Sequence, residues 1–141
     1  MIKPAPVPAG ASGRVLLIDD DESMCETLAL CLVRRGFAVR WRTSALDALA
    51  LLHDEEFDVI YSDLNMDGMS GLELCERAVV LRPGLPFIIV TGLGAPDVKA
   101  AALRAGAYEF MTKPVELEAL RLALLRAVSF GVAARLKGLT R

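Results

Sequence analysis

Short apolar runs alternate along the chain with longer segments in which apolar residues recur every three or four positions. The first pattern is typical of buried strands and the second of amphipathic helices. Strands are predicted at residues 14–18, 38–42, 58–62, 87–90 and 108–112. Helices are predicted at residues 22–35, 45–53, 72–81, 96–105 and 115–137. Strands and helices therefore alternate strictly from one end of the chain to the other.

Residues at the ends of the predicted helices support these boundaries. Gly36 is a typical C-terminal stop for the first helix, and Ser44 is a good N-cap for the second. Within the first helix, the spacing places Met24, Leu28 and Leu32 on one stripe. We expect this stripe to face the core.

The alternation of strands and helices determines the fold class. Two strands joined through a helix run parallel, because the helix carries the chain back across the sheet. Right-handed crossovers place helices on both faces of the sheet. Continuous apolar strands such as Val15–Ile18 and Phe87–Val90 suit a sheet covered on both sides. The sequence predicts a doubly wound α/β domain with a five-stranded parallel sheet.

The composition excludes several classes of protein. The chain has 141 residues, of which 54% are hydrophobic, so one domain with a large core is expected. Apolar runs such as residues 128–134 are far shorter than the roughly 20 residues that a membrane-spanning helix needs. With 16 basic and 18 acidic side chains, the chain lacks the basic excess that is usual in nucleic-acid binders. We expect no membrane partner and no direct contact with nucleic acid.

The cysteines and the N-terminal residues indicate the compartment. The chain has three cysteines, Cys25, Cys31 and Cys75, which are too few and too irregularly spaced for a disulfide framework or a zinc site. Each lies in an apolar segment, which favours free thiols in a reducing compartment. The N-terminal residues lack the apolar core of a secretion signal. We expect a cytoplasmic protein with a flexible leader.

Polar side chains follow the predicted strands at the points where those strands end. Asp19 and Asp20 follow the first strand, and Asp63 follows the third. Thr91 follows the fourth strand and Lys113 the fifth. The carboxyl ends of parallel strands share one edge of the sheet. Asp19, Asp20 and Asp63 therefore converge if the first and third strands are neighbours.

Such a cluster favours phosphoryl chemistry. Three adjacent carboxylates repel each other unless a cation or raised pKa values relieve the repulsion. Oxygen ligands select a hard cation such as Mg²⁺, which often also binds phosphate oxygens. The lysine and the threonine add an ammonium and a hydroxyl that suit a phosphoryl group. These residues predict transfer of a phosphoryl group onto a carboxylate.

Four segments carry a resemblance to a known family. They are VLLIDDDES at Val15–Ser23, SDLNMDGMSG at Ser62–Gly71, IIVTGLG at Ile88–Gly94 and GAYEFMTKP at Gly106–Pro114. With these segments in this order, the chain resembles the receiver domain of bacterial two-component response regulators. Asp67 stands where that family usually has proline. The resemblance implies a flavodoxin-like sheet with strand order 2-1-3-4-5.

The resemblance also divides the chain into three parts. The receiver domain is expected to span residues 14–128, after a flexible leader at residues 1–13. Residues 129–141 exceed what a receiver needs and are expected to form a C-terminal helix extension or a linker. Such a linker would connect the receiver to an output domain.

The resemblance implies roles for the clustered acids. Asp63 would accept a phosphoryl group from a sensor histidine kinase in a Mg²⁺-dependent reaction. Asp20 and Asp63 would bind Mg²⁺ directly, together with the backbone carbonyl of Asn65, and Asp19 would act through water. The protein would lose the phosphoryl group slowly by itself and would not be a dedicated enzyme.

A conformational switch is also implied by the resemblance. Thr91 and Lys113 would bind the phosphoryl oxygens, and Phe110 would turn inward as Thr91 moves. Tyr108 is near Phe110 in the sequence but is offset from the switch position. The resemblance also implies a cis peptide bond between Lys113 and Pro114. The movement would change the face formed by the fourth helix, fifth strand and fifth helix. That face would control an output domain or a downstream protein in transcriptional regulation, and it would also support a homodimer.

Two other functions stay open on the sequence. The pattern formed by Asp19, Asp21 and Ser23 is similar to that of haloacid dehalogenase-type phosphatases, in which Asp19 would be the nucleophile. That pattern does not account for Asp63 or for the glycine-containing loop after it. A degenerate receiver that serves only as a protein-binding module is the other alternative.

Overall fold

The computed structural model describes residues 11–92 and 96–138 of the chain. The strands are β1 Gly13–Ile18, β2 Phe37–Arg42, β3 Val59–Asp63, β4 Phe87–Thr91 and β5 Glu109–Thr112. The helices are α1 Glu22–Val33, α2 Ala45–Asp54, α3 Gly71–Leu81, α4 Pro96–Arg104 and α5 Leu117–Leu136. Most of the predicted leader (residues 1–10), residues 93–94 of the third motif and residues 139–141 of the predicted extension lie outside the described residues.

The five strands form one parallel sheet in the order β2-β1-β3-β4-β5. α1 and α5 cover one face of the sheet, and α2, α3 and α4 cover the other. The predicted fold class and strand order are thus confirmed. Across residues 11–92 and 96–138, no helix has the length and apolar character needed to cross a membrane.

The central strands are buried on both faces. Val15 and Leu17 of β1 pack toward α1 and α5, whereas Leu16 and Ile18 pack toward the opposite helices, because successive residues of a strand point to opposite sides. Every residue of β3 and β4 is buried. Burial of each large aliphatic side chain contributes roughly 1.5–3 kcal/mol relative to exposure. This packing fixes the positions of the residues that end the strands.

The buried stripe of α1 differs from the predicted one. Asp21 is the N-cap, and its carboxylate accepts a hydrogen bond from the backbone N–H of Met24 at 3.1 Å. Met24 is 47% exposed, whereas Cys25 and Leu32 are buried. The prediction that Met24 faces the core is therefore wrong. Consecutive positions on a helix are rotated by about 100°, so a stripe that passes through Cys25 turns Met24 toward solvent.

α5 packs on the sheet along most of its length. Gly131 and Ala134 are buried, and a Cβ atom added to Gly131 would lie 3.2 Å from Cδ of Pro86. The packed part of the helix extends beyond Val128, the residue at which the predicted receiver domain ends. The division of the chain at that residue stays a prediction.

Candidate functional site

Three carboxylates converge at the carboxyl edge of the sheet. Asp63 ends β3, and Asp19 and Asp20 directly follow β1, the neighbouring strand. Each of the three side chains has an oxygen within 4.8 Å of an oxygen from both others. Asp19 and Asp63 are buried, and Asp20 is exposed. The structure thus brings together the acids that the strand ends single out.

The loop after β3 folds back closely on Asp63. The backbone N–H of Gly71 donates to the carbonyl of Leu64 at 2.8 Å. A Cβ atom at Gly71 would overlap the backbone carbonyl oxygen of Asp63, so only glycine permits this approach. The close contact gives a physical reason for the last glycine of the SDLNMDGMSG motif.

Lys113 supplies a positive charge beside two of the carboxylates. Its Nζ lies 3.5 Å from Oδ1 of Asp63 and 3.7 Å from Oδ2 of Asp19. The backbone N–H of Lys113 donates to the carbonyl of Thr91 at 2.8 Å, which ties the ends of β4 and β5 together. The peptide bond between Lys113 and Pro114 is cis. Because its Nζ lies this close to both carboxylates, the ammonium of Lys113 offsets part of the negative charge of the cluster.

Thr91 lies at the same edge and is fully buried. Its Oγ1 accepts a hydrogen bond from Nδ2 of Asn65 at 3.2 Å. This contact was not predicted, because the sequence pattern gives no path for the loop that carries Asn65. The predicted site residues other than Phe110 thus lie along one edge of the sheet, with Asn65 bonded to Thr91.

The two aromatic residues near β5 have different surroundings. Phe110 is partly buried and packs against the core beneath α2–α4. Tyr108 packs against the core beneath α1 and α5, and its ring centroid lies 4.8 Å from that of Phe130. Phe110 therefore lies on the sheet face covered by α4, whereas the ring of Tyr108 contacts the C-terminal half of α5 through Phe130.

Burial sets the electrostatics of the cluster. It raises the pKa of Asp19 above its usual value, and the charges of Asp63 and Asp20 raise it further. The backbone N–H of Asp21 and the ammonium of Lys113 oppose that rise. The site therefore holds more negative charge than its own side chains neutralise.

A free thiol lies directly beneath this charge. Sγ of Cys25 donates to the backbone carbonyl of Asp19 at 3.2 Å. Burial, together with the charge of Asp19, raises the pKa of Cys25 to about 11. The thiol stays protonated near neutral pH and does not add to the negative charge. Cys75 is also a buried free thiol, and Cys31 is partly buried.

The donor set fits a hard divalent cation. It offers carboxylate oxygens within 4.8 Å of one another, partly screened from water. Mg²⁺ prefers such oxygen ligands and keeps several waters, for which the exposed side of Asp20 leaves room. Asp21, which the phosphatase pattern would need beside its nucleophile, is instead the cap of α1.

Replacing Asp19 by asparagine is expected to stabilise the Mg²⁺-free protein at pH 7 by about 1 kcal/mol. The pKa of this carboxyl is raised from 3.8 by folding, so the folded chain binds the proton more tightly than the unfolded chain. Its ionisation therefore costs stability as pH rises above 3.8 and through the raised pKa. The difference between variant and wild type should shrink as pH falls toward 4.

Urea unfolding in EDTA at pH 7 and pH 4 measures this difference. Asp20→Asn is the matched control, since it removes the same charge from an exposed side chain and should change stability less. Saturating Mg²⁺ should reverse the order of wild type and Asp19→Asn. A less stable Asp19→Asn variant at pH 7 in EDTA would contradict the prediction.

Comparisons with known proteins agree on one family. The family model for the response regulator receiver domain matches residues 15–125. The transcriptional regulatory protein GlrR of Escherichia coli K12 is 37% identical over 110 residues, which cover 78% of this chain and 25% of GlrR. The chain thus spans about a quarter of the length of this curated relative.

Solved structures agree as well. A CheY-like receiver domain protein from Methanospirillum hungatei JF-1 is 30% identical with a TM-score of 0.81, and the match covers 85% of this chain and 96% of that one. The beryllofluoride-activated NtrC4 receiver domain dimer is 29% identical with a TM-score of 0.79, covering 84% of this chain and 98% of that one. Since sequence, fold and strand order agree over most of its length, this chain belongs to the response regulator receiver domain family.

Proposed function

We propose that the protein is a phosphoryl-accepting signalling switch. Asp63 accepts a phosphoryl group from the phosphohistidine of a sensor histidine kinase in a Mg²⁺-dependent reaction. The observation that carries this proposal is the ammonium of Lys113, 3.5 Å from the Asp63 carboxylate, at an edge where three carboxylates lie within 4.8 Å. Such an arrangement suits a carboxylate that gains phosphoryl oxygens beside a cation.

The transfer exchanges one bond to phosphorus for another. An oxygen of Asp63 forms a bond to phosphorus while the bond from phosphorus to the donor imidazole nitrogen breaks. The electron pair of that bond stays on the nitrogen, and because the other nitrogen of the donor ring carries a proton, the ring leaves as a neutral imidazole. Lys113 and Thr91 bind the phosphoryl oxygens through an ammonium and a hydroxyl. The protein itself turns over no other substrate and loses its phosphoryl group slowly to water.

The cation site consists of Asp20, Asp63 and the backbone carbonyl of Asn65, with Asp19 acting through water. When bound, Mg²⁺ supplies positive charge to the phosphoryl oxygens. The buried carboxylate of Asp19 accepts a hydrogen bond from the backbone N–H of Asp21 at 3.0 Å. That bond fixes the side chain at the edge of the site, where it would orient water, and it opposes protonation of Asp19 itself.

Phosphorylation acts on the face formed by α4, β5 and α5. The added charge and oxygens draw Thr91 and Lys113 toward Asp63. Thr91 pairs with Thr112 across β4 and β5, so its movement reaches β5 and Phe110. Two apolar side chains of α5 that line a cavity together with Tyr108, next to β5, are exposed to solvent: Leu122 (43%) and Phe130 (49%). Exposed apolar side chains of this kind fit a protein partner.

The partners follow from this face. We infer an output domain or a downstream protein that regulates transcription, as the name of the longer relative GlrR suggests. A second copy of the chain binds through the same face, in line with the dimer named for the NtrC4 receiver. A net charge of −2 gives the chain no basic surface excess for nucleic acid. The free thiols suit a reducing compartment, the cytoplasm.

Incubation with Mg²⁺ and acetyl phosphate tests the proposed function. We expect the intact mass to rise by one phosphoryl group, and light scattering on the same sample to show more dimer. EDTA or Asp63→Asn should abolish both changes, because one removes the cation and the other the acceptor. A phosphoryl gain that persists in Asp63→Asn, or no gain in the wild type, would refute the proposal. The second result would favour a degenerate receiver.

A further inference from the structure

A cavity of about 570 Å³ lies between α1 and α5, next to the acidic site. α1 lines it with Met24 and Leu28, and α5 lines it with Leu117 and Leu120. Met24, which is turned away from the core, is thus part of a cavity wall. Cavities of roughly 300–1,000 Å³ with mostly apolar walls are typical of small-molecule sites. The size and the walls therefore fit a ligand with an apolar body.

A nearly buried tyrosine gives this cavity a polar group. Tyr61 of β3 lines the cavity and is 5% exposed. Across residues 11–92 and 96–138, its hydroxyl makes no hydrogen bond, and no fully buried side-chain oxygen lacks one. The hydroxyl therefore keeps a small accessible surface, which opens into the cavity that the residue lines. Because a buried phenol left without a partner costs free energy, this hydroxyl marks where a polar atom of a ligand would bind.

The charges around the cavity favour an uncharged ligand. Of the described residues that line it, only Asp19 and Lys113 carry a charge. Oδ2 of Asp19 and Nζ of Lys113 lie 3.7 Å apart and already face each other. An anionic group would meet the excess negative charge of the acidic site, and a cationic group would meet the ammonium of Lys113. A neutral carbonyl or hydroxyl group needs only the hydrogen bond that Tyr61 can supply.

We propose that this cavity binds a small uncharged molecule that has an apolar ring body and one carbonyl or hydroxyl group paired with the hydroxyl of Tyr61. Such a ligand would give the domain a second chemical input beside the phosphoryl group, because Asp19 and Lys113 line the cavity and also belong to the acidic site. The inference goes beyond the proposed function and does not depend on it.

Binding of the uncharged naphthyl ketone Prodan tests the inference. Its ring suits the apolar walls, its carbonyl can accept from Tyr61, and its emission shifts to the blue in apolar surroundings. Titration of the whole chain into a low, fixed concentration of Prodan should give a saturating blue shift with a Kd on the order of 100 µM. Tyr61→Phe should weaken binding about fivefold, the factor that corresponds to one hydrogen bond. Because this hydroxyl has no hydrogen-bond partner among the described residues, the variant should fold as the wild type does.

Two further variants and a second probe keep the test specific. Tyr108→Phe removes the hydroxyl of the other tyrosine, which lines a different cavity beside Phe130, and should leave binding unchanged. Cys31→Trp adds an indole to the wall of the proposed site and should weaken binding roughly tenfold or more. Thermal unfolding checks that this variant is folded, and Tyr61→Phe decides the outcome if it is not. The anionic probe anilinonaphthalene sulfonate should bind roughly tenfold more weakly than Prodan.

Equal affinities of Tyr61→Phe and the wild type for Prodan would overturn the inference. Unchanged binding by a folded Cys31→Trp variant, weaker binding by Tyr108→Phe, or no blue shift with the wild type would overturn it as well. Equal or tighter binding of the anionic probe would overturn the assignment to uncharged ligands. Phosphoryl acceptance from acetyl phosphate is measured separately, so none of these results bears on the proposed function.

Discussion

Replacing Glu55 by alanine is expected to lower the free energy of unfolding by about 3 kcal/mol. This glutamate is 8% exposed. Its carboxylate accepts from the guanidinium of Arg14 at 2.9 Å and from that of Arg40 at 2.7 Å. The Arg14 side chain is 12% exposed and lies over the ring of Phe57, 5.3 Å from its centroid. The substitution leaves that buried guanidinium without its carboxylate partner.

The value lies at the low end for breaking a buried ion pair because the second arginine, Arg40, has a side chain that is 42% exposed. Urea unfolding measures the change, and Glu56→Ala is the matched control. Glu56 is the adjacent, exposed glutamate, and its loss should change stability by less than about 0.5 kcal/mol. Equal effects of the two substitutions would show that the ion pairs of Glu55 contribute nothing particular.

The same ion pairs lie far from the acidic site. Arg14 is the second residue of β1 and Glu55 precedes β3, whereas Asp19 follows β1 and Asp63 ends β3. Glu55→Ala should therefore leave phosphoryl acceptance unchanged at temperatures where the variant is folded. An unchanged rate would separate two roles within the domain, with the ion pairs at one edge of the sheet stabilising the fold and the acidic site at the other accepting the phosphoryl group.

The fold and the convergence of the acids follow from sequence periodicity. Alternating strands and helices force parallel pairing, and parallel pairing brings Asp19, Asp63 and Lys113 to one edge wherever the strands are neighbours. The strand order itself came from the resemblance, because periodicity does not say which strands are adjacent. The predictions of the fold class and of the convergence of the acids each depend on many residues. Misassigning one position to a strand or a helix therefore does not change them.

Contacts that depend on a single angle or a loop path were not predictable in this way. The exposure of Met24 depends on the phase of α1, and one residue turns a helix by about 100°. The bond between Asn65 and Thr91 depends on how the loop after β3 returns to the sheet. The close approach of Gly71 to Asp63 has the same origin. The sequence identifies these residues but does not specify which of their atoms are in contact.

Replacing Lys113 by methionine is expected to slow phosphorylation by acetyl phosphate about 100-fold. The ammonium lies 3.5 Å from the Asp63 carboxylate and 3.7 Å from that of Asp19. Phosphoryl transfer adds negative oxygens beside these groups, so removal of the cation destabilises the transfer more than the free protein. Methionine keeps most of the length of the side chain and loses only the charge and the donors.

The same substitution should tighten Mg²⁺ binding by roughly tenfold, because an ammonium and a divalent cation repel each other across the shared carboxylates. Calorimetry gives the affinity, and timed intact-mass measurements give the rate.

Lys99→Met, which removes an exposed charge from α4, is the control and should leave both quantities near the wild-type values. Lys113→Arg should lie between wild type and Lys113→Met, because the guanidinium keeps the charge but differs in shape and donor geometry. Weaker Mg²⁺ binding by Lys113→Met would mean that the lysine organises the carboxylates for the cation, and an unchanged rate would mean that its ammonium does not act on the phosphoryl group.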